Sequence, residues 1–132
     1  MSALERPVTK QRPVYLNLLH IRLPLPGIVS ILHRISGAVL FFVGLPLLLV
    51  ALQRSLSSPE GFHGLQAALA TPLSKLVLLG LAWAYLHHFC AGIRFLLLDV
   101  HQGIELKPAR RSSIAVLVIS LALTLLVGVR LW

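Results

Sequence analysis

The sequence predicts an all-α integral membrane protein with three transmembrane helices and a cytoplasmic amino terminus, working as part of a multi-subunit helical bundle. Three observations lead there. Hydrophobic residues fill 57% of the 132 positions and charged residues only 12%, against about half and about a quarter in soluble domains; mean hydropathy is +0.87. The apolar residues gather into three runs, each long enough for the roughly 20-residue helix that crosses a bilayer core. The cations lie mainly at the flanks of those runs. Three helices make a thin bundle, so partner subunits are expected.

Residues 1–27 read as a cytoplasmic or interfacial amino-terminal segment. Its prolines, Pro7, Pro13, Pro24 and Pro26, forbid a long helix, and Tyr15 and His20 suit the headgroup zone. The segment lacks the apolar core of a cleavable secretory signal, so targeting is expected to fall to the first membrane helix. Residues 28–132 form the membrane anchor. Span one covers about 28–52, with Ser30, His33 and Arg34 in its first two turns and a kink expected at Pro46. Residues 53–70 read as a loop, marked by the turn cluster Ser57-Ser58-Pro59-Glu60-Gly61. Span two, about 71–98, opens on Thr71-Pro72, where proline is tolerated in a first turn. At 1.5 Å per residue it reaches about 42 Å, more than the roughly 30 Å core, so it must tilt or protrude. A basic connection with Lys107, Arg110 and Arg111 leads to span three, about 113–131. Both basic segments fall on one side of the membrane, and the positive-inside rule makes that side cytoplasmic.

Lysine and arginine total 12 against 4 acidic residues, a net charge of +8. Because the cations flank apolar spans, topology and anionic lipid headgroups account for them, and nucleic-acid binding is excluded. The single cysteine, Cys90, lies mid-span and reads as a small core hydrophobe; it can build no disulfide or thiolate metal site within the chain. No phosphate loop, paired carboxylates or nucleophile-base arrangement is present, which excludes a hydrolytic site.

The informative stretch is 85–99, YLHHFCAGIRFLLLD. Ionisable residues inside a membrane helix face the bundle interior and mark ion, proton, electron or cofactor paths. With about 3.6 residues per turn, His88, Gly92, Phe95 and Asp99 share one face. His88 lies about 16 Å in from an interfacial Asp99, near mid-bilayer. Two uses compete for it: an interhelical hydrogen bond, or haem ligation through one ring nitrogen while the other donates to an acceptor. Gly92 would let a porphyrin approach. Adjacent helical residues point about 100° apart, so His87 cannot oppose His88 across one haem and is read as a polar contact on another face. Ser30 and Arg34 share a face in span one, where a hydroxyl and a guanidinium could bond a quinone carbonyl; snorkelling of Arg34 to headgroups is the plainer alternative. His33 and Arg34 could equally clamp carboxylates such as haem propionates. Gly37, four beyond His33, permits another close approach. Arg94 and Asp99 are a poor intrahelical pair, so each is expected to meet another helix or a partner.

The motifs Ser30-Ile31-Leu32-His33-Arg34-Ile35-Ser36-Gly37 and His88-x3-Gly92-Ile93-Arg94-x4-Asp99 carry a family resemblance, with Gln11-Arg12-Pro13-Val14 and Ser55-Leu56-Ser57-Ser58-Pro59-Glu60-Gly61-Phe62. The chain resembles the larger, cytochrome b556 type of membrane anchor of succinate dehydrogenase, respiratory complex II, over nearly its whole length. The resemblance implies a subunit of a bacterial inner-membrane succinate:quinone oxidoreductase, passing electrons from succinate to ubiquinone without itself oxidising succinate. It implies that His88 is an axial ligand to the iron of haem b, with the opposing ligand from a second small anchor subunit. It also implies quinone contacts from Ser30 and Arg34, haem propionate contacts from His33 and Arg34, and a flavoprotein with FAD and an iron-sulfur subunit as further partners. One departure stands out: the position after Arg94, often histidine in that family, is Phe95. Two rival readings remain at this point: a non-enzymatic accessory membrane protein whose histidines only pack helices, and the anchor of a fumarate reductase.

Overall fold

The computed structural model describes residues 22–132; the expectations for Tyr15, His20 and the Gln11-Arg12-Pro13-Val14 motif lie outside them. Among the described residues the chain is helical, in the order α1 (Leu25–Val39), a π-turn (Leu40–Gly44), α2 (Leu45–Ser57), α3 (Pro59–Leu69), α4 (Pro72–Asp99) and α5 (Leu106–Leu131). Three continuous stretches, Leu25–Ser57, Pro72–Asp99 and Leu106–Leu131, are long and apolar enough to cross a membrane.

The elements differ from the sequence reading at four places. Span one opens at Leu25, since Pro24 is extended and Pro26 sits in the first turn, where its missing N–H costs nothing. Its irregularity precedes Pro46 rather than falling on it. Pro46 lacks an N–H and its ring crowds the carbonyl four residues back; the helix answers with one wide turn, in which the Leu45 N–H reaches back to the Leu40 carbonyl. The expected loop after span one is largely helix α3. Ser58, extended at φ −164°, accepts the Gly61 N–H on its hydroxyl at 3.0 Å, and Pro59 takes the first helical position. The residues that read as a turn cluster are therefore a helix start. Outside the spans, the Glu60 carboxyl is held below its ordinary pKa by its own backbone N–H and the Ser58 hydroxyl. α5 begins at Leu106, so Lys107, Arg110 and Arg111 extend the helix beyond its apolar run.

Between α4 and α5 the chain reverses in a few residues. His101 takes φ 62° and Gly103 φ 76°, while the His101 and Gln102 N–H groups close on the Leu98 and Leu97 carbonyls, both at 2.9 Å. That is a left-handed helix cap of the kind glycine usually provides.

α4 is the centre of the bundle, packing on α5 and α1, which also touch each other; α2 instead leans on α3 and contacts neither α4 nor α5. The divergence after the π-turn leaves an apolar groove of about 920 Å³ lined by residues that include Leu40, Gly44, Leu48, Leu65, Leu81 and Tyr85. The packing is inverted relative to a soluble protein. Among the described residues the buried ones are Val29, Ala84, Ala91 and Val116 together with Ser36, His87, Arg94, Ser113, Ser120 and Thr124, while Phe41, Phe42, Leu48, Leu73, Leu96 and Leu125 are exposed. Lipid solvates apolar side chains as well as a core would, so helices in lipid are held by close approach of small residues and by hydrogen bonds. The buried hydroxyls are satisfied within their own helix: Ser113 bonds the Ala109 carbonyl, Ser120 that of Leu117 and Thr124 that of Ser120.

Candidate functional site

The α1–α4 contact is built around His88. Its Nδ1 lies 3.0 Å from the His33 backbone carbonyl and 3.3 Å from the Ser36 hydroxyl. The Ser36 hydroxyl in turn donates to the same His33 carbonyl at 2.9 Å, a back-bond typical of serine in membrane helices. A carbonyl can only accept, so Nδ1 carries the proton and Nε2 keeps its lone pair. That is the tautomer a metal-ligating imidazole requires.

Space for the ring comes from glycine, but from two helices. A Cβ added at Gly37 would stand 2.8 Å from His88 Cε1, so only glycine admits the imidazole there. Gly92, one turn along α4 from His88, is open: an added Cβ would meet only the His33 Nε2, at 3.8 Å. The His33 ring stacks on that of His88, with centroids 4.1 Å apart and planes 12° from parallel. Each histidine thus leans toward the glycine of the opposite helix.

The other residues singled out in the sequence fall around this pair. Arg34 donates from Nη2 to the Ser30 hydroxyl at 3.1 Å, on an exposed part of α1. Phe95 packs against the His33 ring at 5.0 Å and lies under the Arg94 guanidinium at 5.4 Å; it forms an aromatic wall where a histidine would offer a polar group. Arg94 is buried and reaches α5, donating from Nε to the Ser112 hydroxyl at 3.0 Å, while Asp99 is exposed at the helix end. Lys75, at the far end of α4, sits 5.4 Å from the Trp132 ring, and Cys90 is a free, half-buried thiol.

His87, expected as a polar contact on another face, has the backbone of Val29 in α1 beside its ring. It is fully buried, and among the described residues neither ring nitrogen has a hydrogen-bond partner; nor has the buried Trp83 Nε1. The two rings stack at 5.3 Å, so His87 packs in the core as an aromatic plate. Ser36 is the contributor to which the sequence reading gave no role. Its signal was present: a serine three residues after His33 can back-bond that residue's carbonyl.

The model of the succinate dehydrogenase/fumarate reductase transmembrane subunit matches residues 8–127. The chain belongs to this family. It is 38% identical to the succinate dehydrogenase cytochrome b556 subunit of Coxiella burnetii (strain RSA 493 / Nine Mile phase I), over 92% of this chain and 98% of that protein. The protein of the same description from Paracoccus denitrificans is 35% identical, over 87% of this chain and 88% of its own length. The one from Rickettsia felis is 30% identical, over 98% of this chain and all of its own length. As a member of this transmembrane family with bacterial relatives and three spans, the chain is a multi-pass protein of the bacterial inner membrane.

Proposed function

We propose that this chain is the haem b-binding membrane anchor of a succinate:quinone oxidoreductase, and that it helps to form the site where quinone is reduced. The observation that carries the reading is the state of His88: Nδ1 is committed to a backbone carbonyl, Nε2 is left with its lone pair, and Gly37 makes room for the ring. The carbonyl bond by itself is an interhelical contact; with the Nε2 lone pair left over and room made for the ring, the same histidine is also set to hold a metal.

In this reading Nε2 of His88 would hold the haem iron, and a second small anchor subunit would complete the iron's ligand set. Gly92 leaves one side of α4 free of side chain. His33 and Arg34 provide donors for the propionates, and the Ser30–Arg34 pair offers a hydroxyl and a guanidinium to a quinone oxygen on which negative charge develops. Haem, when bound, supplies one-electron chemistry; FAD and the iron-sulfur clusters belong to the flavoprotein and iron-sulfur partners. Phe95 contributes no polar contact to a propionate. The cytoplasmic side carries the start of α1 together with Lys107, Arg110 and Arg111, so the iron-sulfur subunit docks near Ser30 and Arg34.

The test uses the assembled complex. His88→Ala should remove or alter the haem optical and EPR signals, and unchanged occupancy with unchanged axial-ligand signals would exclude it as ligand. Ser30→Ala and Arg34→Leu should depress succinate–quinone turnover while sparing succinate oxidation with an artificial acceptor; equal loss of both activities would point to assembly. The packing reading, in which an intramembrane histidine serves only helix contact, is favoured for His87, whose ring nitrogens close no hydrogen bond among the described residues.

A further inference from the structure

A helix can offer a free backbone carbonyl only where its own i→i+4 ladder is loosened or shared. The His33 carbonyl is such a group: it takes the Ser36 hydroxyl at 2.9 Å and the His88 imidazole at 3.0 Å. The Ser36 hydroxyl is 97% buried with its residue and stands 3.3 Å from the same Nδ1. Its hydrogen points at the carbonyl, so its lone pair is what faces the ring. The Nδ1 proton of His88 therefore has two acceptors, a carbonyl and a hydroxyl, separated by less than one helical turn of α1.

From this geometry we infer that Ser36 is a positioning residue for His88, holding the ring direction beside the His33 carbonyl that sets the tautomer, and tuning how strongly Nε2 donates to a bound metal. The inference rests on the haem reading above and deepens it. Two acceptors draw the Nδ1 proton away from the ring and make Nε2 the more basic, an effect that outer hydrogen bonds exert on ligating histidines. A stronger donor favours the more oxidised iron. The reverse arrangement, with the Ser36 hydroxyl donating to an unprotonated Nδ1, would put the proton on Nε2 and block ligation; the 3.0 Å carbonyl contact excludes it.

The experiment compares wild type, Ser36→Ala, Ser36→Thr and His88→Ala in the assembled complex. It measures haem content, haem midpoint potential, low-spin EPR g-values and the coupling of the exchangeable Nδ1 proton by electron-nuclear double resonance. Ser36→Ala should retain haem but raise the midpoint potential, broaden the low-spin signal and alter the exchangeable-proton coupling. Ser36→Thr, whose hydroxyl can make the same back-bond, should restore all three toward wild type. If His88→Ala loses the axial signal while Ser36→Ala leaves potential, g-values and proton coupling at wild-type values, the Ser36 role is overturned and the haem reading stands. If His88→Ala keeps the axial signal, the haem reading itself fails. Should Ser36→Ala assemble poorly, the proton coupling in the fraction that retains haem still decides: an unaltered coupling overturns the role.

Discussion

His87 and His88 are neighbours in sequence and opposites in environment. His88 lies in the α1–α4 contact, half-buried, with Nδ1 bonded to backbone and hydroxyl and a glycine opposite its ring. His87 points into the closed three-helix core, stacked on Trp83, with neither nitrogen partnered among the described residues. The more buried histidine is thus the less prepared for chemistry. An unpartnered buried imidazole costs free energy, whereas a bonded one with a free lone pair is poised to take a ligand. Burial marks both residues, and only the hydrogen-bond pattern tells them apart.

The largest test of this contrast exchanges the two sites. His88→Ala should abolish the b-type haem signal that depends on this chain, whereas His87→Phe should leave the reduced-minus-oxidised spectrum unchanged. Loss of haem in both variants would erase the distinction.

The next test uses the glycines. Gly37→Ala would force its Cβ against the His88 ring and should cost about 1–3 kcal/mol in overpacking, with reduced haem content. Gly92→Ala meets nothing closer than 3.8 Å and should leave the stability of the protein without haem nearly unchanged in thermal unfolding. Equal losses would mean that the two glycines are not used differently.

Replacing the unpartnered imidazole sharpens the comparison from the other side. His87→Phe keeps an aromatic ring against Trp83 and removes a buried donor and acceptor, and should stabilise the detergent-solubilised complex by about 1–3 kcal/mol, read as a raised melting temperature. A lower melting temperature would show that His87 has a polar partner after assembly.

Two smaller effects lie outside the helix core. His101 holds φ 62°, a conformation that costs a residue with a Cβ about 1–2 kcal/mol, so His101→Gly should raise stability by about 1 kcal/mol with no change in the haem spectrum. At α3, Glu60 has a lowered pKa, and a carboxylate with a depressed folded-state pKa contributes stability above its unfolded value that is lost as pH falls. Amide-exchange protection within α3, relative to the intrinsic rate at each pH, should therefore fall at acid pH before protection in α4 does, and Glu60→Gln should remove that difference.

Much of this arrangement was legible along the chain. Hydropathy and charge determined a membrane protein with three long apolar helices, since a bilayer admits few alternatives to satisfied backbone. Helical periodicity placed Ser30 with Arg34, which the structure joins by a 3.1 Å hydrogen bond. The helix α3 was hidden because Ser58, Pro59, Glu60 and Gly61 serve turns and helix starts equally, and only the conformation of Ser58 distinguishes the two. For His87 the chain gives a direction alone; that the Val29 backbone of α1 lies in that direction depends on how two helices pack.

The tertiary structure decided which groups meet across helices. His88 finds Gly37, Ser36 and the His33 carbonyl, residues more than 50 positions away, and no local propensity sets that meeting. It follows from how α1 and α4 rotate and cross, which small residues and hydrogen bonds govern where lipid removes the hydrophobic preference for one face. The sequence by itself determined that a histidine would stand within the membrane; the crossing of two helices decided which of its nitrogens is free.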